Sequence, residues 1–511
     1  MTNYNSETKT KYIFAIILFF LSIAIYYRAT AVYFLADDFF YIFNRNNWSY
    51  YSPLTHFFYQ PITLFVYFLN YFWAGLNPYN YHIFTIILNA LNMIIFYFVF
   101  AKLLNNYFYS FLIMVIAAVY YFSADNMIWI NCTNNVICAF FYALTLLYFI
   151  KHKKDQHKRN LILALIFFNL TLFTREMGVS IILIIGLIDL LYFDAYKDKK
   201  EFFRNYSIFL LFFALYIVVM AIGPTVRYGR LSFNRGAYTL YLEVKEQIIN
   251  INWFIFRTFI PFSFGSHFKI KFVHTLINFI RFNYVSIILA VLFCFIIINR
   301  NYYFGLLWII LTAGPYLILN KYFVFNGDRY FYLPHIGLGF ILLACWQETA
   351  GLLKSLKLKR IIKYLLFLGL VIYAIASILA IQKRIEWWIK AGQSSKEFLE
   401  EFKITFSDIP ENTVIFVKDI PRWADNAPNK LIVLITGASF ALNLFYDKKN
   451  IEVIPYWEDE KHKIDEMKVI AELKKFDNFI FLEYKDKKII KWQPPDFYIE
   501  TIKKYFVNFT L

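Results

Sequence analysis

About eleven nearly unbroken apolar runs divide this 511-residue chain, and no other property limits its fold so sharply. They fall at 12–34, 80–101, 107–123, 134–150, 160–174, 177–193, 203–223, 284–299, 302–320, 336–350 and 361–382. Most approach the ~20 residues that carry a helix across ~30 Å of hydrocarbon. Apolar residues make up 60% of the chain and charged residues 17%. That is more apolar surface than one or two soluble cores can hide. The fold class is therefore a polytopic α-helical membrane protein, because the ~10-residue alternation of a transmembrane β-barrel is missing. Ala29-Thr30-Ala31 imitates a signal-peptide cleavage site after Lys9 and Lys11. The run before it exceeds the ~7–15 residues of a signal core, so an uncleaved first span is expected.

The net charge of +17 is spread over short loops rather than gathered on one face, so no nucleic-acid partner is expected. Five Lys or Arg crowd 151–159, and further basic clusters stand at 197–204 and 354–363. Eleven spans with a cytoplasmic N-terminus place all three inside, as the charge bias of cytoplasmic loops requires. The same count puts Asp37, Asp38, Arg175, Glu176, Asp328, Arg329 and the C-terminal segment on the extracytoplasmic side. The protein is thus expected to be integral to the cell (inner or plasma) membrane. Cys132, Cys138, Cys294 and Cys345 lie in or beside apolar runs and form no metal or disulfide pattern.

Two long external loops are expected. Loop one covers 35–79, and its apolar 61–73 portion reads as an interfacial or re-entrant helix. The second covers 224–283 and carries Arg227, Arg230, Arg235, Lys245, Arg257, Lys269, Lys271 and Arg281 against Glu243 and Glu246. Such a basic surface can attract phosphates of a lipid or a donor, and 251–264 reads as a second interfacial helix. From 383 to 511 the composition turns polar. Strand-like runs at 413–417, 451–454 and 478–482 indicate a small extracytoplasmic α/β domain, with 431–446 either a helix or a buried strand. The expected division is a membrane module, 1–382, and this domain, 383–511.

The expected outer face collects Asp37, Asp38, His56, Arg175, Glu176, Asp328, Arg329 and the basic loop. An acid pair at a membrane edge can take a proton from a hydroxyl or hold a divalent cation, and arginines bind phosphate oxygens in pairs. Asn-x-Ser/Thr triplets at Asn47, Asn131, Asn205 and Asn508 are what an Asn-rich chain produces by chance.

Ala36-Asp37-Asp38-Phe39 after the first run resembles the acidic first-loop motif of C-type (GT-C superfamily) polytopic membrane glycosyltransferases. Gln60-Pro61-Ile62-Thr63, the stretch Gly75 to His82, and Asn89-Ala90-Leu91-Asn92 are similar to that superfamily's next loop and span. Thr174-Arg175-Glu176-Met177-Gly178 resembles its (Ser/Thr)-Lys-Glu element, and Asp328-Arg329-Tyr330-Phe331-Tyr332-Leu333-Pro334 its Glu-Arg-Tyr-x-Tyr-Leu-Pro element. The likeness is to bacterial relatives of the protein O-mannosyltransferases and their tetratricopeptide-tailed branch, and covers about residues 12–350. Gln60 stands where relatives often carry Arg, Arg175 replaces Lys, Asp328 replaces Glu, and no tetratricopeptide repeats follow.

The resemblance implies transfer of a sugar from a polyprenyl-phosphate donor to a hydroxyl of a protein, lipid or glycan. Asp37 would be the base and Asp38 its assistant or, with Asp37, a ligand for Mg or Mn. Glu176, His56 and His82 would shape the acceptor cavity. Arg329, Arg175, Arg227 and Arg230 would hold donor phosphate. Two alternatives are a lipid-linked glycan flippase and a non-catalytic glycan-assembly protein. The flippase predicts polar groups deep in the spans and internal repeats.

Overall fold

The computed structural model describes residues 2–47, 60–194, 199–228, 244–259, 299–317, 328–352, 356–421, 437–447, 450–456 and 476–494, with 197, 287–288, 433–434, 496, 499–500 and 503. The helices are α1 (Thr2–Tyr26), α2 (Asp38–Asn44), α3 (Pro61–Ala74), α4 (Pro78–Leu104), α5 (Tyr107–Ala118) and α6 (Asp125–Ile128). They continue with α7 (Thr133–Asp155), α8 (Lys158–Leu172), α9 (Ile181–Tyr192), α10 (Lys199–Tyr228) and α11 (Val244–Phe259). The last four are α12 (Arg300–Leu317), α13 (Ile336–Leu352), α14 (Leu356–Thr405) and α15 (Ala438–Tyr446). The described chain forms two compact units. The first takes Met1–Thr30, Asn47–Val66 and Asn80–Arg384; the second takes Ala31–Asn46, Tyr67–Tyr79 and Ile385–Leu511.

Five helices among the described residues are long and apolar enough to cross a membrane, at Lys9–Ala31, Pro78–Leu104, Ile130–Asp155, Phe202–Ala221 and Tyr364–Thr405. A sixth exists if Tyr107–Ala118 and Tyr121–Ile128, bent by 62°, form one span. The helices of the described residues thus account for five or six of the eleven expected spans. The runs at 160–174 and 177–193 become α8 and α9, of 15 and 12 residues. At 1.5 Å per residue those reach only about 23 and 18 Å. The run at 177–193 is shortened because Glu176–Ser180 coils into a tight 3-10 turn first. The run at 284–299 lies almost wholly outside the described residues.

Within the first unit the local chemistry explains the helix ends. Asn106 caps α5, its side-chain oxygen accepting from the Tyr109 N–H at 2.9 Å. Gln156 adopts a left-handed φ of 53° and donates its N–H to His152 O, which stops α7 and turns the chain into α8. Lys153 reaches Asp189 on α9 at 2.9 Å, both side chains buried.

The helices α11, α12 and α13 share a core of Ile255, Tyr302, Leu306, Ile309, Ile341 and Ala344. Residues 249–258 of α11 are mostly buried, so this segment does not lie with one face in the interface as expected for 251–264. Residues 260–264 fall outside the described set. Gly305 and Gly337 let α12 and α13 touch: a Cβ on Gly305 would lie 2.6 Å from Gly337 O. Close backbone approach through small residues is how apolar helices gain dispersion contacts. A Gly305→Leu substitution is expected to force the pair apart and cost at least about 1–3 kcal/mol. Thermal unfolding of the purified protein checks it.

The second unit holds a four-stranded sheet of β1 (Thr413–Lys418), β2 (Ile451–Tyr456), β3 (Asn478–Lys485) and β4 (Lys488–Lys491). Its order is β2-β1-β3-β4, with β1 parallel to both neighbours and β4 antiparallel to β3. Residues 413–417 are all buried, as a central parallel strand demands. Asp486 and Lys487, both at positive φ, make the two-residue turn that adds β4. The three expected strands are present, and 438–446 is a helix. Asn443 of that helix accepts from Ile451 N and donates to Ile451 O, doing for β2 what a neighbouring strand would. The helix α14 runs unbroken past residue 382, the expected module boundary.

Candidate functional site

Loop one opens with strain. Ala36 holds a left-handed φ of 40°, a conformation that costs a non-glycine residue about 1 kcal/mol or more. It is pinned by its own N–H, which donates to Val433 O at 2.8 Å. Its carbonyl packs against Gly437, where a Cβ would come within 1.9 Å. Only glycine fits there. Directly after it, the Asp38 N–H donates to Leu35 O while Asp38 Oδ2 accepts from Leu35 N, each at 2.9 Å. Asp38 is fully buried, so its carboxylate is engaged in closing this turn.

Asp37 stands at the N-cap of α2 and is half-buried, with no side-chain hydrogen bond to the helix's first turn. Phe40 and Phe43 pack on Phe440, and Phe39 on Phe445, seating α2 against α15. The two acids that look equivalent in sequence thus have different surroundings. Both belong to the second unit.

Gln60, His82, Arg175, Glu176, Asp328 and Arg329 belong to the first unit. Thr174–Gly178 forms its tight turn because Gly178 presses on the Thr171 carbonyl, 2.4 Å from where a Cβ would stand. Arg175 Nε lies 3.7 Å from Glu176 Oε2, and Gln60 Nε2 donates to Glu176 Oε1 at 3.0 Å. Gln60 and Glu176, drawn from distant motifs, are therefore brought together. His82 is buried inside α4. Arg230 and His56 lie outside the described residues, as does the side chain of Arg227.

Asp328 is the centre of a buried charge network. It forms ion pairs with two arginines: Arg257 Nη2 lies 2.5 Å from its Oδ1 and Arg384 Nη2 lies 2.6 Å from its Oδ2. Arg384 also forms a bidentate pair with Asp125, Nε to Oδ1 at 2.6 Å and Nη2 to Oδ2 at 2.5 Å. Two cations and two anions make the set neutral, which is the condition for keeping charges out of water. Aromatic rings wall it: Phe122 lies 3.6 Å from the Arg257 guanidinium and Tyr121 4.9 Å from that of Arg384. Arg257 is thus buried and paired, not part of the open basic surface expected for 224–283.

The next residue, Arg329, is held differently. Its guanidinium lies 5.3 Å from the Trp129 ring and 5.1 Å from that of Tyr330, and its carbonyl accepts from Asn126 and Asn135. Tyr330 stacks on Tyr316 at 4.4 Å. Asn134, next to Asn135 and fully buried, has no hydrogen-bond partner among the described residues for either amide atom. A buried amide in that state marks a place for water or a polar ligand.

Arg384, Asp125, Asn126 and Trp129 were missed by sequence reasoning. The signal for Asp125 was a single acid between two apolar runs; Arg384 stood two residues past a run's end. Among the described residues no group of three or more His, Cys, Asp or Glu gathers to hold a metal ion. No protein-family model matches the chain, and no curated protein matches it.

Proposed function

We propose that this chain is a membrane glycosyltransferase that moves a sugar from a polyprenyl-phosphate donor to a hydroxyl acceptor on the extracytoplasmic side. The observation that carries the reading is the loop-one turn, where Asp38 and the strained Ala36 fix the backbone on either side of Asp37, the half-buried N-cap of α2. A carboxylate on an over-determined turn suits a positioned base. Asp37 takes the acceptor proton as the acceptor oxygen bonds to the anomeric carbon. The bond from that carbon to the phosphate oxygen breaks, configuration inverts, and polyprenyl phosphate leaves. Phosphate is already a competent leaving group, so the protein supplies position, a base and charge stabilisation.

Arg329, its guanidinium beside the Trp129 and Tyr330 rings, is the cation assigned to donor phosphate, with Arg175 beside Glu176 as its companion. Asp38, buried with Oδ2 on a backbone N–H, is a poor donor for magnesium or manganese, so no step is routed through a cation. The acceptor class is a protein, lipid or cell-surface glycan.

The test is a vesicle assay with the purified chain and a panel of radiolabelled polyprenyl-phosphate hexoses and pentoses, alongside mass analysis of envelope glycans from a deletion strain. Label transfer is expected with one donor. Arg329→Gln is expected to weaken use of that donor about 10- to 100-fold, the worth of charge-assisted hydrogen bonds. Unchanged envelope glycans and no transfer from any donor would sink the reading.

A further inference from the structure

The turn between α7 and α8 forms an open hollow of about 530 Å³ that the proposed reaction does not use. Lys151, His157, Lys158 and Arg159 line it, with Tyr148 and Leu163 as apolar walls. It lies at the end of the membrane-length helix Ile130–Asp155, the level at which headgroups meet water. Lys151 is held with its ammonium 4.8 Å from the Tyr148 ring centre. The helix α8 begins at this cavity with no acid in its first turn and no side-chain cap from His157, so its first N–H groups add positive potential. Four basic side chains, a helix N-terminus and an apolar wall in one hollow form a receptor for an anionic amphiphile.

We propose that this cavity binds the phosphate headgroup of an anionic bilayer lipid, with Lys151, Lys158 and Arg159 around the phosphate and Tyr148 and Leu163 against the glycerol and first acyl carbons. A free phosphate would use the cations and leave the apolar walls idle, and the position at a span's end favours the lipid. The site is independent of the glycosyltransferase reading.

The experiment follows thermal unfolding of the full chain in detergent during titration with phosphatidylglycerol, with phosphatidylcholine and inorganic phosphate as separate arms. Phosphatidylglycerol is expected to raise the melting temperature saturably and the other two to leave it unmoved. The variant K151Q/K158Q/R159Q is expected to bind phosphatidylglycerol on the order of 100-fold more weakly, since each basic residue near an anionic surface is worth about fivefold. The variant K485Q/K488Q/K491Q removes three charges from the β3–β4 hairpin instead and should respond as the parent does. A shift reproduced by inorganic phosphate, or retained in the first variant, or lost equally in the second, would overturn the assignment.

Discussion

Arg384→Met is expected to destabilise the protein by about 3–5 kcal/mol, the cost of leaving buried partners uncompensated. Within this set of four Arg384 alone pairs with both aspartates, so its removal leaves Asp125 without its bidentate partner and Asp328, among the described residues, with its Arg257 ion pair. The companion Asp125→Leu/Arg384→Met deletes one ion pair as a unit and leaves the neutral Arg257–Asp328 pair. It should recover most of the loss, because a buried pair replaced by packed apolar groups is often neutral or stabilising. Steric-trap or thermal unfolding of parent, single and double variants measures this; a double variant no better than the single one would refute the charge-balance account.

The network has a pH signature as well. Burial works to raise the Asp328 carboxyl, but Arg257 and Arg384 outweigh it and hold it below the usual carboxylate range. A depressed carboxyl contributes stability that is complete above its unfolded value near ~4 and is lost as pH falls through the folded value. Melting temperatures should therefore fall on acidification below about pH 4.

Asp37→Asn is expected to lower sugar transfer by about 10²- to 10⁴-fold, the usual worth of a positioned base, with melting unchanged. Asp38→Ala should do the reverse in kind. It strands the buried Leu35 N–H, costs about 1–3 kcal/mol of stability, and lowers transfer only as the turn loosens. Transfer rates and melting curves for the two variants, side by side, decide the matter. If Asp37→Asn transfers normally, or if both variants damage folding alike, the division of labour between the neighbours is wrong.

Much of the architecture was open to reading because it depends on pattern within a few residues. The apolar runs at 80–101, 134–150 and 361–382 are helices, and 413–417, 451–454 and 478–482 are strands, since burial follows local composition in both. The Asp486–Lys487 turn that creates β4 offered only a weak cue, neither residue being glycine or asparagine. Span number was less legible. An apolar run records that a segment avoids water, but lipid and the apolar side of another helix both satisfy it. The runs at 160–174 and 177–193 form α8 and α9, of 15 and 12 residues, and α11 packs on α12 and α13.

By itself the sequence determined a helical membrane protein with a small α/β unit at its end, because the demand to bury apolar surface is written residue by residue. It also singled out Asp37, Asp38, Glu176 and Arg329 as candidates for chemistry. Only the tertiary structure decided that Asp38 closes a turn, that Gln60 meets Glu176, and that Arg257 and Arg384 converge on Asp328. Those pairings join residues separated by up to 116 positions, and a charge's role is set by its neighbours in space, which no local pattern specifies.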